Sequence, residues 1–244
     1  MPLNLKASGK AAMNTSITML QDRAYEYLKK MIRNGSLDEN KIYSLSAISK
    51  ILDMSKTPVR DALQMLSRED LIEILPSRGF RLKHFTEKDV TELYQLRCAI
   101  EGYCCYAMAA KYCEDHSYEL VDKLRKNLAI QKQAVKDNAS AAEFMPLDIE
   151  FHNIIYSCVD NSRFNVTMDL NRDRSMSFTL NSLQNKGIIE ITYNEHKHIY
   201  DAIVDGDPSK GYNAMLNHLK TPFAQNMEQL KKSGILSKPD LMMP

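Results

Sequence analysis

The run Ser55-Lys56-Thr57-Pro58-Val59-Arg60-Asp61-Ala62-Leu63 decides how this chain reads. Just before it, Ser44 opens a compact segment, Leu45 to Leu52, with Leu45, Ile48, Ile51 and Leu52 on one apolar face. Asp53-Met54-Ser55 makes a turn. Pro58 suits the first position inside a second helix, where its missing N–H would have had no partner. Thr57 can cap the same end. Lys56, Thr57 and Arg60 then gather at a helix N-terminus, whose backbone N–H groups and dipole also attract phosphate. A recognition helix meets a DNA major groove in this way, so the spacing predicts DNA binding.

The flanking sequence extends that reading. Leu71-Ile72-Glu73-Ile74-Leu75 is β-rich, Pro76-Ser77-Arg78-Gly79 is a turn, and Phe80-Arg81-Leu82-Lys83 alternates like a strand. A hairpin with Arg78 and Gly79 at its tip forms a wing that reaches backbone or the adjacent minor groove. An ordinary solvated charged face is the plain alternative. Net charge is only +1, yet residues 1–85 carry +5 and the remainder −4. A basic head and an acidic body suit a DNA-binding domain joined to one that does not touch DNA.

These residues resemble the GntR family of bacterial winged helix-turn-helix regulators. The resemblance rests on Ile32-Arg33-Asn34-Gly35, on the run from Ser55 to Leu63, and on Leu66, Leu71-Ile72 and Ser77-Arg78-Gly79. It implies operator contacts from Lys56, Thr57, Arg60, Arg78 and Gly79. Family members usually carry Arg where Lys56 stands, so a bidentate guanine contact is less assured there. Their usual Glu-Arg in the preceding helix is Leu45-Ser46 here. That removes one phosphate contact and leaves Ser46 at the DNA face. Glu39-Asn40 replaces the common Pro-Gly after the first helix.

The 244 residues are enough for two domains, and 44% hydrophobic content is globular. No run approaches the ~18 apolar residues of a membrane helix. Residues 1–16 read as a flexible polar tail without a secretory signal. Cys98, Cys104, Cys105, Cys113 and Cys158 show no Cys-x-x-Cys spacing, and an odd count points to a reducing cytoplasm. From residue 86 on, helical periodicity dominates. Helices are expected at 87–112, 117–136, 139–158, 162–183, 188–205 and 208–231, joined by short breaks, so neighbours should pack antiparallel. The expected fold is mainly α: a winged helix-turn-helix over 17–84, an all-α antiparallel bundle over 86–231, and a C-terminal tail over 232–244.

Within the bundle, Asp148 and His152 are spaced i, i+4 and share a helix face. His196 lies 10 residues before Gly206 and His218 lies 12 after it. In an antiparallel hairpin those offsets are roughly 15 and 18 Å from the turn, which brings the imidazoles to nearly one level. Three imidazoles and a carboxylate suit Zn(II), Ni(II) or a related divalent ion. Spacing alone leaves His198 as a competitor of His196, and Asp148 and His152 as a solvated pair.

Residues 86–231 also resemble the FCD effector domain of the FadR subfamily of GntR regulators. The landmarks are Leu96-Arg97 with Glu101, Asp148-Ile149-Glu150-Phe151-His152, Asp160-Asn161, Glu195-His196 with Ile199 and Ala202-Ile203, Gly206-Asp207 and His218-Leu219. Many members bind a divalent metal through one Asp and three His at these positions. The resemblance therefore implies Asp148, His152, His196 and His218 as ligands. It also implies a small carboxylate or sugar-acid effector, with Arg97 as a candidate anchor. The expectation is a cytoplasmic homodimer on double-stranded operator DNA, with no membrane partner and no enzymatic activity. A metal-responsive regulator without organic effector and a metalloenzyme are the alternatives.

Overall fold

The computed structural model describes residues 6–33, 35–38, 41–83, 85–114 and 119–232, without the side chains of 6–18 and Cys113. The chain divides into two compact units, Met1–His84 and Phe85–Pro244. In the first, α1 (Lys6–Arg33), α2 (Leu45–Ile51) and α3 (Lys56–Arg68) precede a hairpin of β1 (Ile72–Leu75) and β2 (Gly79–Leu82). Ala24, Leu28 and Ile32 of α1 form one core with Ile48 of α2, Val59, Ala62, Leu63 and Leu66 of α3, and Ile72 and Phe80 of the hairpin. This is a winged helix-turn-helix.

Three local expectations change. Helix α1 begins at Lys6, so from that residue on the expected tail is helical. The Lys-Ala-rich start contains good helix formers and no proline. Residues 1–5 lie outside the described chain. Second, α3 starts at Lys56, two residues earlier than Pro58 implied. Ser55 is the extended N-cap residue, with no side-chain cap bond, so Pro58 is the third helical residue and Thr57 is not the cap. The ring still falls in the first turn, where backbone N–H groups lack intrahelical partners.

Third, the hairpin loop is Pro76-Ser77-Arg78, and Gly79 opens β2 opposite Leu75. Tyr43 explains why glycine stands there. Tyr43 N–H donates to Phe80 O (2.7 Å) and Phe80 N–H to Tyr43 O (2.9 Å), so the chain before α2 runs against the wing. Gly79 has φ +124°, and a Cβ would collide with the Tyr43 carbonyl.

The second unit contains, among the described residues, α4 (Glu87–Glu114), α5 (Glu119–Lys136), α6 (Ala141–Tyr156), α7 (Ser162–Leu183), α8 (Ile188–Val204) and α9 (Pro208–Lys232). Local sequence sets the starts. Thr86 and Asp89 bond each other's backbone N–H at α4, and Ser140 and Glu143 form a capping box at α6. Helix α4 packs chiefly on the last helix, α9, rather than on α5. Gly211 lets α9 come close to the Cys105 carbonyl of α4. The core joins Cys104, Cys105 and Met108 of α4 to Leu124 of α5, Phe151 and Ile155 of α6, Ile199 and Ile203 of α8, and Met215 and Leu219 of α9. Residues 233–244, most of the expected C-terminal tail, lie outside the described chain.

Candidate metal centre and nucleic-acid interface

In the first unit, Lys56, Thr57 and Arg60 are exposed on the first turns of α3, Ser46 on α2, and Arg78 at the hairpin tip. Among the described residues, no ion pair holds Lys56, Arg60 or Arg78. Arg81 and Lys83 are different, because they are paired with Glu73 (2.7 Å) and Asp70 (2.6 Å). The same unit thus holds cations paired along the wing and cations that stand exposed without an ion pair among the described residues. Gln64, which sequence reasoning passed over, is exposed one turn beyond Arg60. Its i+4 spacing from Arg60 was the available signal.

In the second unit, Asp148 and His152 of α6, His196 of α8 and His218 of α9 are buried and converge. One donor atom from each lies within 4.8 Å of the other three. His218 Nε2 is 3.2 Å from His152 Nε2, and Asp148 Oδ1 is 3.6 Å from His196 Nε2 and 4.0 Å from His152 Nε2. Ligands ~2.0–2.2 Å from a shared ion are separated by roughly these distances. His198 is exposed and outside the cluster.

Each imidazole is also held from behind. His152 Nδ1 faces Glu101 Oε2, His196 Nδ1 faces Gln131 Oε1 at 2.9 Å, and His218 Nδ1 faces Glu195 Oε2 at 2.9 Å. Thr221 Oγ1 donates to the other Glu195 oxygen (2.6 Å). Carboxylates behind His152 and His218 favour an N–H on each Nδ1, which leaves two Nε2 lone pairs facing each other. His196 Nε2 is buried with no hydrogen-bond partner among the described residues. Facing lone pairs and an orphaned nitrogen are unfavourable without a cation between them, so the donor set fits a divalent ion.

Electrostatics agrees. Burial, then the neighbouring His218, His152 and Arg97, hold the His196 pKa well below its ordinary value. Burial also lowers that of His218, against the opposing pull of Glu195. Burial works against the Glu101 carboxylate, but Arg97 and His152 outweigh it and keep its pKa far below the carboxylate range. Neutral imidazoles are the ligand form.

Arg97 is not a free anchor. Its Nε donates to Glu101 Oε1 (2.6 Å), and its Nη2 lies 3.4 Å from both His152 ring nitrogens. It nevertheless lines a cleft of about 400 Å³, open mouth included, that reaches Asp148 and His152. Asn153, Tyr156, Arg172 and Ser175 line the same cleft, and the buried Ser175 hydroxyl has no partner among the described residues. Arg174 turns elsewhere, 3.9 Å from Asp89. Sequence reasoning gave Glu101 and Glu195 no role, though Glu101 sits four residues after Arg97. Gln131 left no local signal.

Two family models match: the FCD domain over residues 92–221 and the bacterial regulatory proteins of the gntR family over residues 20–82. The chain belongs to the FCD-domain branch of the GntR family. It is 24% identical over 207 residues to the transcriptional regulator YdhC of Bacillus subtilis, covering 85% of this chain and 89% of that one. It is 30% identical over 161 residues to the gluconate operon transcriptional repressor of Bacillus subtilis, covering 66% and 63%. A crystal structure of a GntR-type regulator from Rhodococcus sp. RHA1 aligns with a TM-score of 0.67 at 20% identity, covering 85% and 97%. The protein is therefore a transcriptional regulator rather than an enzyme, and regulators of this family bind operator DNA. No described helix is long and apolar enough to cross a membrane.

Proposed function

We propose that this GntR regulator works in the cytoplasm as a homodimer whose hold on operator DNA is set by a small organic acid at a divalent-metal site. Asp148, His152, His196 and His218 hold the ion, zinc or nickel. The single observation that carries this reading is the convergence of four buried donors, one of them orphaned, beside a cleft. A bound divalent ion would offer a carboxylate a Lewis-acidic partner. The N–H groups of Arg97 not engaged by Glu101, with Arg172, Ser175 and Tyr156, would receive the rest of the acid. A carboxylate or sugar acid is the class to test, and gluconate belongs in the panel because one relative is named for its operon.

DNA is read by the exposed end of α3, through Lys56, Thr57 and Arg60. Ser46 lies beside it, and the wing tip at Arg78-Gly79 contacts backbone or minor groove. Two copies on two half-sites give so small a reader its specificity. Exposed Tyr103 and Tyr106 on α4 and Val166 and Leu170 on α7 offer apolar surface for that pairing. The acid acts only if it binds one arrangement of the dimer better than the other.

The test is operator binding by metal-stripped and metal-loaded protein, with and without each acid. An acid that changes affinity only in the loaded protein supports the reading; no acid effect in either state refutes it. A second reading, a metal-responsive regulator without organic effector, is favoured by Arg97 being already engaged by Glu101. Metal-dependent DNA binding that no acid alters would select it.

A further inference from the structure

Helix α5 supplies none of the four donors, yet it buries two amides beside them. Asn127 is 5% exposed and Gln131 fully buried. Burying such groups is unfavourable unless every donor and acceptor is paired, so their arrangement calls for a reason.

The direction of each hydrogen bond follows from one end. Asn127 Nδ2 donates to the backbone carbonyl of Leu147 (3.1 Å). A carbonyl can only accept, so the amide nitrogen of Asn127 must point to Leu147 and its oxygen toward Gln131. Gln131 Nε2 donates to that oxygen (2.6 Å). This leaves Gln131 Oε1, an acceptor, facing His196 Nδ1 at 2.9 Å. Nδ1 must then carry the hydrogen, and Nε2 presents its lone pair into the cluster, where it has no other partner. The ring is further clamped by stacking on Phe151, with centroids 3.9 Å apart and planes 11° from parallel.

The relay also closes on itself. Leu147 directly precedes Asp148, so Asn127 grips the backbone beside one donor while Gln131 fixes the tautomer of another. Helix α5 thereby ties the Asp148 segment of α6 to His196 of α8. A buried amide pair serving only packing would not need a unidirectional chain ending on a donor.

We propose that Gln131, backed by Asn127, is the positioning residue that keeps His196 in its ligand tautomer and orientation. This rests on the metal-holding reading of Asp148, His152, His196 and His218. Outer partners of metal-bound imidazoles typically change affinity about 10- to 100-fold. Gln131 differs in kind from Glu101 and Glu195, because it is neutral and fixes the ring without adding negative charge.

The experiment uses the full chain, stripped with a chelator and titrated with Zn(II) alone against a competing chromogenic chelator. Parent, Gln131→Leu and Gln131→Glu are compared, with the Co(II) visible absorption of each recorded as a report on coordination. Melting of each metal-free protein separates folding defects from ligand defects. Gln131→Leu should bind zinc about 10- to 100-fold more weakly and alter the Co(II) bands, beyond any change in metal-free melting. Gln131→Glu keeps an oxygen opposite His196 Nδ1, but its other carboxyl oxygen replaces the N–H that Asn127 Oδ1 accepts, so it should recover part of the affinity. Gln131→Leu binding zinc like the parent, or Gln131→Glu binding no better than Gln131→Leu, overturns the proposal. A parent chain that takes up no zinc, nickel or cobalt would instead refute the metal reading itself.

Discussion

Lys56, Thr57, Arg60 and Arg78 stand in solvent, the three cations unpaired among the described residues, whereas Asp148, His152, His196 and His218 are buried and every imidazole is braced from behind. The first set depends on its ligand for order. On the proposed reading its cations would keep their hydration and rotamer freedom until phosphate or a base edge arrives, so its contribution would be screened by salt. The second set is ordered before its ligand comes. It has already met the desolvation of four polar side chains, and on the proposed reading a cation at the centre would offset that. A reader of long DNA can be assembled from replaceable contacts, whereas a site for one ion depends on every donor.

The comparison breaks most visibly at His152. His152→Ala removes one donor and leaves Glu101 with Arg97 alone, so zinc affinity should fall by more than the roughly 100-fold that an outer partner commands. Operator binding in the absence of acid should change far less, because the exposed face is untouched. Metal analysis after desalting, alongside a DNA-binding titration, checks both parts. Retained metal in this variant would mean the four residues do not act as one site.

The converse change is Arg60→Ala. Losing a base contact weakens operator binding by about 1–3 kcal/mol and relaxes sequence preference. Losing a phosphate contact instead lowers the salt slope by roughly one while weakening all sequences alike. Zinc affinity should not move. A salt series on operator and scrambled DNA distinguishes the two roles, and full operator affinity would remove Arg60 from the interface.

The exposed face was the more legible of the two. Lys56, Thr57 and Arg60 lie within five residues, so helical spacing alone aligns them, and the structure leaves them exposed as the pattern implies. What the spacing missed was a matter of two residues: the cap is Ser55 rather than Thr57, because Ser55 is the extended residue. The four donors were harder to see together. Asp148 and His152 share a helix, and the Gly206 offset aligned His196 with His218, but nothing local ranked His196 above His198. The resemblance to the family did that; in the structure His196 is buried and His198 exposed. The outer partners were illegible because they come from distant segments: Gln131 is 65 residues from His196. Gly79 illustrates the same limit on the wing. It read as a turn tip, whereas its smallness serves the approach of Tyr43.

Acid sharpens the contrast by acting on one region. His196 and His218 are held neutral in the folded chain by burial, while in the unfolded chain they titrate near their ordinary value of about 6.5. Below that pH the unfolded state binds more protons, so the metal-free protein should lose stability as pH falls. A second loss begins below about 4.5, where unfolded Glu101 takes up a proton that the folded carboxylate resists. Zinc loading should blunt the loss at the upper end until protons displace the ion. Denaturant unfolding of the metal-free and loaded chains across pH 7 to 4 measures this, and equal slopes for the two would contradict it.

The smallest effect is expected at Gln64, and it tests how far along α3 the reading face extends. Gln64 is exposed one turn past Arg60, and a carboxamide can pair with the N6 and N7 edge of adenine. Gln64→Ala adds helix propensity and removes no buried contact, so folding should be unchanged or slightly improved. If Gln64 reaches a base, the variant loses about 1 kcal/mol on the preferred operator, at the low end for such a contact, and much less on sequences altered at one position per half-site. If it reaches only phosphate, the loss is uniform, because backbone contacts carry no sequence information. If it reaches neither, binding is unchanged and the reading face ends at Arg60. Selection of bound sequences by parent and variant decides among these, since a lost base contact appears as relaxed preference at a symmetric pair of positions.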